Sequence, residues 1–224
     1  MKKVKSEASD IVSILDEFVS DHKKELIDEV LRKRTRHLTL VFEDIDKPHN
    51  ISAVLRTAEC LGVQDIHFIK NKNEYSINPT ITQGAAKWLT LHHYNSNDNN
   101  VESCFNYLRS NGYQILATSL HEKSKSVEEI NPESKTAIVF GTESDGISKE
   151  AGDLADGFIH IPMSGFTESF NLSVSAALCM NTLKFKGDGF PSISDKEKLV
   201  LRGEWYRKIV READMILRSK GVEV

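Results

Sequence analysis

The stretch Ile159 to Met180, IHIPMSGFTESFNLSVSAALCM, constrains the fold more than any other part of this 224-residue chain. It opens on a short apolar strand, Phe158 to Ile161, and Pro162 ends the ladder because its ring nitrogen has no hydrogen to donate. Met163 to Glu168 is a glycine-containing loop able to wrap a ligand. Ser169-Phe170-Asn171 then leads into a helix, Leu172 to Leu183, where Ser173, Ser175, Ala176 and Ala177 permit close packing. A helix start bearing hydroxyls and an amide offers free N–H groups to a polar or anionic ligand. Any α/β protein can use such a strand-loop-helix connection, so the stretch alone fixes an architecture and leaves function open.

Upstream, the same alternation recurs. Leu38 to Phe42 is an apolar strand, Glu43 to His49 a loop, Ile51 to Leu61 a helix closed by Gly62, and Asp65 to Ile69 the next strand. Strand, helix and strand this close together form a βαβ unit and a parallel sheet. Lys70 to Pro79 is polar and turn-rich, and Ala85 to Tyr94 contains another strand. Val101 to Ser110 reads as a helix capped by Asn99 or Asn100 and ended at Gly112. Gln114 to Thr118 and Ala137 to Phe140 are further strands, and Ser148 caps a short helix to about Leu154. The expectation is an α/β domain of five or six mostly parallel strands with helices on both faces.

Helical patterns flank this domain. Ser9 to Val19 and Asp21 to Arg34 precede it. After the linker Gly187 to Ile193, a capping box at Ser194-Asp195-Lys196-Glu197 opens a last helix reaching Lys220. Its stripe is Leu201, Trp205, Ile209, Ala213 and Ile216. The expected organisation is an N-terminal helical extension over 1–37, an α/β domain over 38–187 and a C-terminal helical extension over 188–224.

Composition excludes several classes. No run approaches the roughly 18 apolar residues that span a bilayer, and no apolar signal core follows the basic start Met1-Lys2-Lys3-Val4-Lys5-Ser6. A cytoplasmic protein is expected. Cys60, Cys104 and Cys179 are odd in number, lack CxxC spacing and sit in apolar helical patterns, so buried reduced thiols are expected. A net charge of −4 excludes a uniformly basic nucleic-acid coat, leaving local patches. One such patch is Arg32-Lys33-Arg34-Thr35-Arg36-His37, although a solvated helix end accounts for it equally well on charge alone.

Two more segments decide the reading. Asn50 to Ala58 reads N-x-S-A-x-x-R-T-A, and Phe140 to Ile147 reads F-G-x-E-x-x-G-I. Followed by I-P-M-x-G-x-x-x-S-x-N-x-S-V-S-A-A from Ile161, they resemble, in order, the three motifs of the SpoU-type (SPOUT) RNA ribose 2′-O-methyltransferases. The match runs from about Leu38 to Leu183 and looks most like the tRNA (guanosine-2′-O)-methyltransferase branch.

This resemblance implies a C-terminal trefoil knot, which periodicity alone would never suggest. It implies S-adenosylmethionine as methyl donor, bound by Thr118 and Leu120, Gly141, Ile161 and Met163, and closed in by Phe170 and Leu172. It implies a catalytic set of Arg56, Glu143, Ser169 and Asn171, with Asn50 supporting. A guanidinium stays charged in nearly all environments, so Arg56 is expected to grip a phosphate and stabilise the developing alkoxide. A phosphate-assisted role as base stays open. No metal is implied, and His92 and His93, being adjacent in a strand, face opposite ways.

A homodimer is implied too, consistent with apolar surplus on the last domain helix at Leu178, Met180 and Leu183. The acceptor is expected to be tRNA, at the D-loop guanosine of position 18, held by Arg32, Lys33, Arg34 and Arg36 and by final-helix cations including Arg207 and Arg211. Ribosomal RNA and a non-catalytic RNA-binding role are the alternatives. A nicotinamide-dependent enzyme is disfavoured, because no G-x-G-x-x-G follows an early strand.

Overall fold

The computed structural model describes residues 2–45, 47–71, 79–96, 99–120 and 123–222, so most of the polar segment from Lys70 to Pro79 lies outside them. In chain order the elements are α1 (Lys2–Leu15), α2 (Asp21–Arg32), β1 (Leu38–Glu43), α3 (Pro48–Cys60), β2 (Asp65–Ile69), α4 (Pro79–Thr82), β3 (Thr90–Tyr94) and α5 (Asn100–Ser110). They continue with β4 (Gln114–Thr118), β5 (Lys125–Ser126), β6 (Thr136–Phe140), α6 (Lys149–Leu154), β7 (Gly157–His160), α7 (Leu172–Lys184), α8 (Asp195–Ile209) and α9 (Ala213–Ser219). Two compact units result: Thr35–Pro191, and a second built from both ends, Met1–Arg34 with Ser192–Val224.

Among the described residues of the first unit seven strands form one sheet, ordered β3-β2-β1-β6-β4-β7-β5, and their pairings are all parallel. The strand beyond the expected five or six is β5. Its two residues pair with Ile159 and His160 and are too short to leave a periodic signal. The central strands β1 and β6 are buried along their whole length, and mostly apolar, because both faces are covered. Leu38, Leu40 and Phe42 pack beneath Ile51, Val54, Leu55 and Ala58 of α3 and Ala176, Met180 and Leu183 of α7. Val41, Ala137 and Val139 face Val101, Phe105 and Leu108 of α5 and Ala151 of α6.

Several boundaries differ from expectation, each for a local reason. Helix α3 begins at Pro48, whose missing N–H costs nothing in a first turn, so Asn50 lies inside the helix and does not cap it. Cys104 and Cys179 are buried, and burial pushes each thiol up to about 12. Cys60 is exposed instead, because Leu55 and Ala58 define the inward face of α3 and Cys60 falls outside it. On α7, Met180 and Leu183 belong to the core, and the exposed apolar residues are Val174, Leu178 and, just past the helix, Phe185.

In the second unit α8 packs against α1, α2 and α9. Its core joins Ile11, Leu15, Ile27 and Leu31 to Leu201, Trp205, Tyr206, Ala213 and Leu217. Helix α1 passes so near Gly203 that an added Cβ would sit 3.4 Å from Ile11 Cγ2. Arg202 pairs with Asp28, and Tyr206 Oη donates to Asp16 at 3.1 Å. The capping box at Ser194 and Glu197 forms as expected. The expected single last helix is broken between Ile209 and Ala213, where Glu212 takes φ 56°, and the register change buries Leu217 in place of Ile216. Among the described residues no helix is long and apolar enough to cross a membrane.

Candidate active site

Parallel sheets present ligands at the carboxyl ends of their strands, and a cleft of about 760 Å³ lies there. Thr118 and Leu120 reach it from the end of β4, Gly141 from β6, Ile161 and Met163 from the loop after β7, and Phe170 and Leu172 from the start of α7. Every residue expected at the donor pocket therefore lines one cavity. His160 and Cys179 line it too. His160 Nδ1 lies 2.9 Å from Ser124 Oγ, a partnership invisible in the sequence because β5 was.

The loop over 141–148 folds tightly on itself. Thr142 N–H donates to Gly146 O at 2.9 Å and Gly146 N–H returns to Thr142 O at 3.0 Å, with Gly146 at φ 70°. A Cβ on Gly141 would lie 2.0 Å from the Gly146 carbonyl, so glycine is required there for the loop's own backbone. Ser148 ends the loop by capping α6, accepting from Ala151 N–H at 3.0 Å.

This loop carries Glu143 to the centre of a polar cluster. Glu143 Oε1 accepts from Asn50 Nδ2 at 2.6 Å and from Asn171 Nδ2 at 3.3 Å. Asn171 Nδ2 also donates to Asn50 Oδ1 at 3.1 Å, and Lys47 Nζ is paired with Glu143 Oε2. Asn171 is fixed by its second job: its Oδ1 accepts from Ser173 N–H at 2.9 Å and caps α7. Three segments far apart in sequence thus meet at one carboxylate on the wall of the cleft. A carboxylate so placed beside a pocket lined by Leu120, Ile161 and Phe170 suits a ligand with an apolar ring and a cationic centre.

A family model for the SpoU rRNA methylase family matches residues 37–181. The chain belongs to this family. Among its relatives, a tRNA (guanosine(18)-2′-O)-methyltransferase of Borreliella burgdorferi is 40% identical over 92% of this chain and 94% of its own. One from Thermus thermophilus is 35% identical over 72% of this chain and 81% of its own. The crystal structure of the A. aeolicus TrmH/SpoU tRNA modifying enzyme superposes with a TM-score of 0.73 at 29% identity, covering 84% of this chain and 96% of that one.

Other residues of this SpoU methylase expected at the site fall into distinct places. Ser169 lies on the cleft wall. Arg56 is exposed on α3, six residues beyond Asn50, which is about 9 Å along the helix and a third of a turn around it. It is not among the residues lining this cleft. Lys47, directly ahead of Pro48, was missed, and its position just before a helix start gives no sign that it meets Glu143.

The cations assigned to RNA also separate. Arg32 and Lys33 are exposed, Lys33 also pairing with Glu29 at 2.6 Å. Arg34 is 1% exposed, its guanidinium 5.4 Å from the centre of the Trp205 ring, so it is a core residue and cannot reach a phosphate. Arg36 Nε binds Asp65 at 2.7 Å. Arg207 pairs with Asp214, while the Arg211 side chain is almost fully exposed.

His92 and His93 face opposite sides of β3, the first stacked on His67 at 4.3 Å and the second on Phe68 at 5.7 Å. His92 Nε2 also meets Asp65 at 2.9 Å. Burial raises the Asp65 carboxyl, but the His92 hydrogen bond and the Arg36 charge prevail and hold it below its ordinary value. Burial depresses the His67 imidazole to about 3.

Proposed function

We propose that this SpoU methylase transfers the methyl group of S-adenosylmethionine to the ribose 2′-hydroxyl of a D-loop guanosine, position 18, in tRNA. The observation that carries the reading is the Glu143 carboxylate, held by Asn50 and Asn171 on the wall of the 760 Å³ cleft. The names of its relatives support the acceptor. The donor suits the cleft: Leu120, Ile161, Phe170 and Leu172 offer apolar contact to adenine, while Glu143, Asp145 and Glu168 on its walls complement the donor's ammonium and sulfonium groups. In the reaction the 2′-oxygen bonds to the methyl carbon as the carbon–sulfur bond breaks, leaving S-adenosylhomocysteine and one proton. The step needs alignment above all, and no metal is assigned to it. We read the chain's return from β7 to α7, which packs on α3, as the knotted passage the family resemblance implies.

Arg56 has no place in its own cleft, and an apolar stripe at Val174, Leu178 and Phe185 stands exposed. Both fit a homodimer in which a second copy brings Arg56 to the acceptor ribose, where it grips a phosphate and stabilises the alkoxide. The α/β domain over 38–187 then does the chemistry, and the helical ends hold tRNA.

Methylation of tRNA transcripts with labelled donor, followed by mapping of alkali-resistant sites, tests the reading. One new 2′-O-methyl group in the D-loop is expected, with or without chelator. Mixing Arg56→Ala with Asn171→Ala protein should restore activity through the heterodimer. Donor binding without methylation of any tRNA would overturn the proposal.

A further inference from the structure

Glu43 ends β1 at 2% exposure, and neither the motifs nor the cleft accounts for it. Its Oε2 accepts the N–H of Ser148 at 2.8 Å, and its Oε1 meets no hydrogen-bond partner among the described residues. A buried polar atom left unmet costs about 1–3 kcal/mol, so stability alone would favour an apolar side chain at the end of this strand. We propose that Glu43 is a positioning residue for methyl transfer, its bond to Ser148 setting where Glu143 stands. The inference rests on the methyltransferase reading of the cleft.

The connectivity carries it. From Glu43 the chain runs forward to Lys47 and Asn50, and from Ser148 it runs back to Glu143. These ends meet again where Asn50 Nδ2 and Lys47 Nζ reach the Glu143 carboxylate. The two segments therefore close a ring, with the part-buried Glu43–Ser148 bond on one side and the Glu143 cluster as the side facing the cleft. The loop has little slack to absorb a displaced Ser148. Thr142 and Gly146 are cross-bonded, and the Gly146 peptide lies against Gly141 with no room for a methyl group. On its other side Ser148 is tied to α6, whose Ala151 is fully buried. Any shift at Ser148 therefore passes to Glu143, and the cleft wall formed by 141–147 moves with it.

Two pairs of variants isolate the bond. Glu43→Leu removes the acceptor and Glu43→Gln keeps one. Ser148→Pro removes the N–H at a residue whose φ of −65° proline already satisfies, whereas Ser148→Ala loses only the α6 cap oxygen. Below their melting temperatures, Glu43→Leu and Ser148→Pro should lower kcat about 30- to 100-fold, the scale set by an ångström of misplacement. Donor affinity should fall with kcat and tRNA affinity should not. Glu43→Gln and Ser148→Ala should stay within about threefold of wild type.

Amide exchange supplies a readout independent of turnover: Ser148→Pro should speed exchange at Thr142 and Gly146, and Ser148→Ala should not. If Glu43→Leu does not fold, the Ser148 pair decides alone. Equal kcat and equal exchange in Ser148→Pro and Ser148→Ala would overturn the positioning role. A wild-type protein that methylates no tRNA would instead refute the functional reading, while the exchange comparison still judges the bond.

Discussion

Glu143→Gln isolates the charge at the heart of the cluster. The carboxylate accepts from Asn50 at 2.6 Å, from Asn171 at 3.3 Å and from the Lys47 ammonium. Glutamine offers one oxygen and one NH2 group, so in either orientation an NH2 faces a donor. With its oxygen kept toward Asn50 and Asn171, weakening two charge-assisted bonds to neutral ones costs about 1 kcal/mol each. The Lys47 pair is left out of the sum, because Lys47 is 57% and Glu143 30% exposed and water screens it. About 2 kcal/mol remains, and if it falls on the competent geometry the rate drops about 30-fold. Single-turnover transfer of labelled methyl to a tRNA transcript measures that drop, and calorimetry measures Tm. At the wall of an open cleft the protein should lose only a few degrees. A rate within about fivefold of wild type at unchanged Tm would show that the cluster holds structure and takes no part in the chemistry.

Asp65 gives a prediction in pH. Its folded carboxyl titrates below the ordinary value, so its stabilisation is complete above the unfolded pKa near 4 and is lost as pH falls through the folded one. Asp65→Asn should therefore cost about 3 kcal/mol in urea unfolding at pH 7, with the gap to wild type closing below about pH 4; a gap independent of pH refutes it. Native protein treated with maleimide should label at Cys60 and stay protected at Cys104 and Cys179, as mass spectrometry will show. Replacing Arg32 and Lys33 with Gln should flatten the salt dependence of tRNA binding by about one unit of slope per lost phosphate contact, whereas Arg34→Ala should lower Tm, because it empties the space beside Trp205.

Legibility followed the range of the physics involved. Strands β1, β2, β4, β6 and β7 and the helices over them announced themselves through apolar runs, because burial on both faces writes itself into adjacent residues. Asn50, Glu143 and Asn171 were found through motif spacing, but their mutual bonds span 93 and 121 residues and leave no local trace. Lys47 was overlooked for the same reason. Arg34 misled because Arg32 and Lys33 before it are solvated cations while its neighbour in space is Trp205. The break between α8 and α9 escaped notice because it is made by Glu212 at a positive φ, with neither Gly nor Pro to mark it.

The helical unit draws its two halves from Met1–Arg34 and Ser192–Val224, with the whole α/β unit made in between. Its first half leaves the ribosome with Ile11, Leu15, Ile27 and Leu31 aimed at a partner not yet synthesised. At about 5–20 residues per second, roughly 10–40 s pass before Leu201 and Trp205 arrive to cover them. During that interval the nascent chain displays an unmatched apolar face while the sheet folds. The earliest helices made are thus the last to find shelter, and pausing or truncation late in translation would leave a chain prone to aggregation while its α/β unit is already complete.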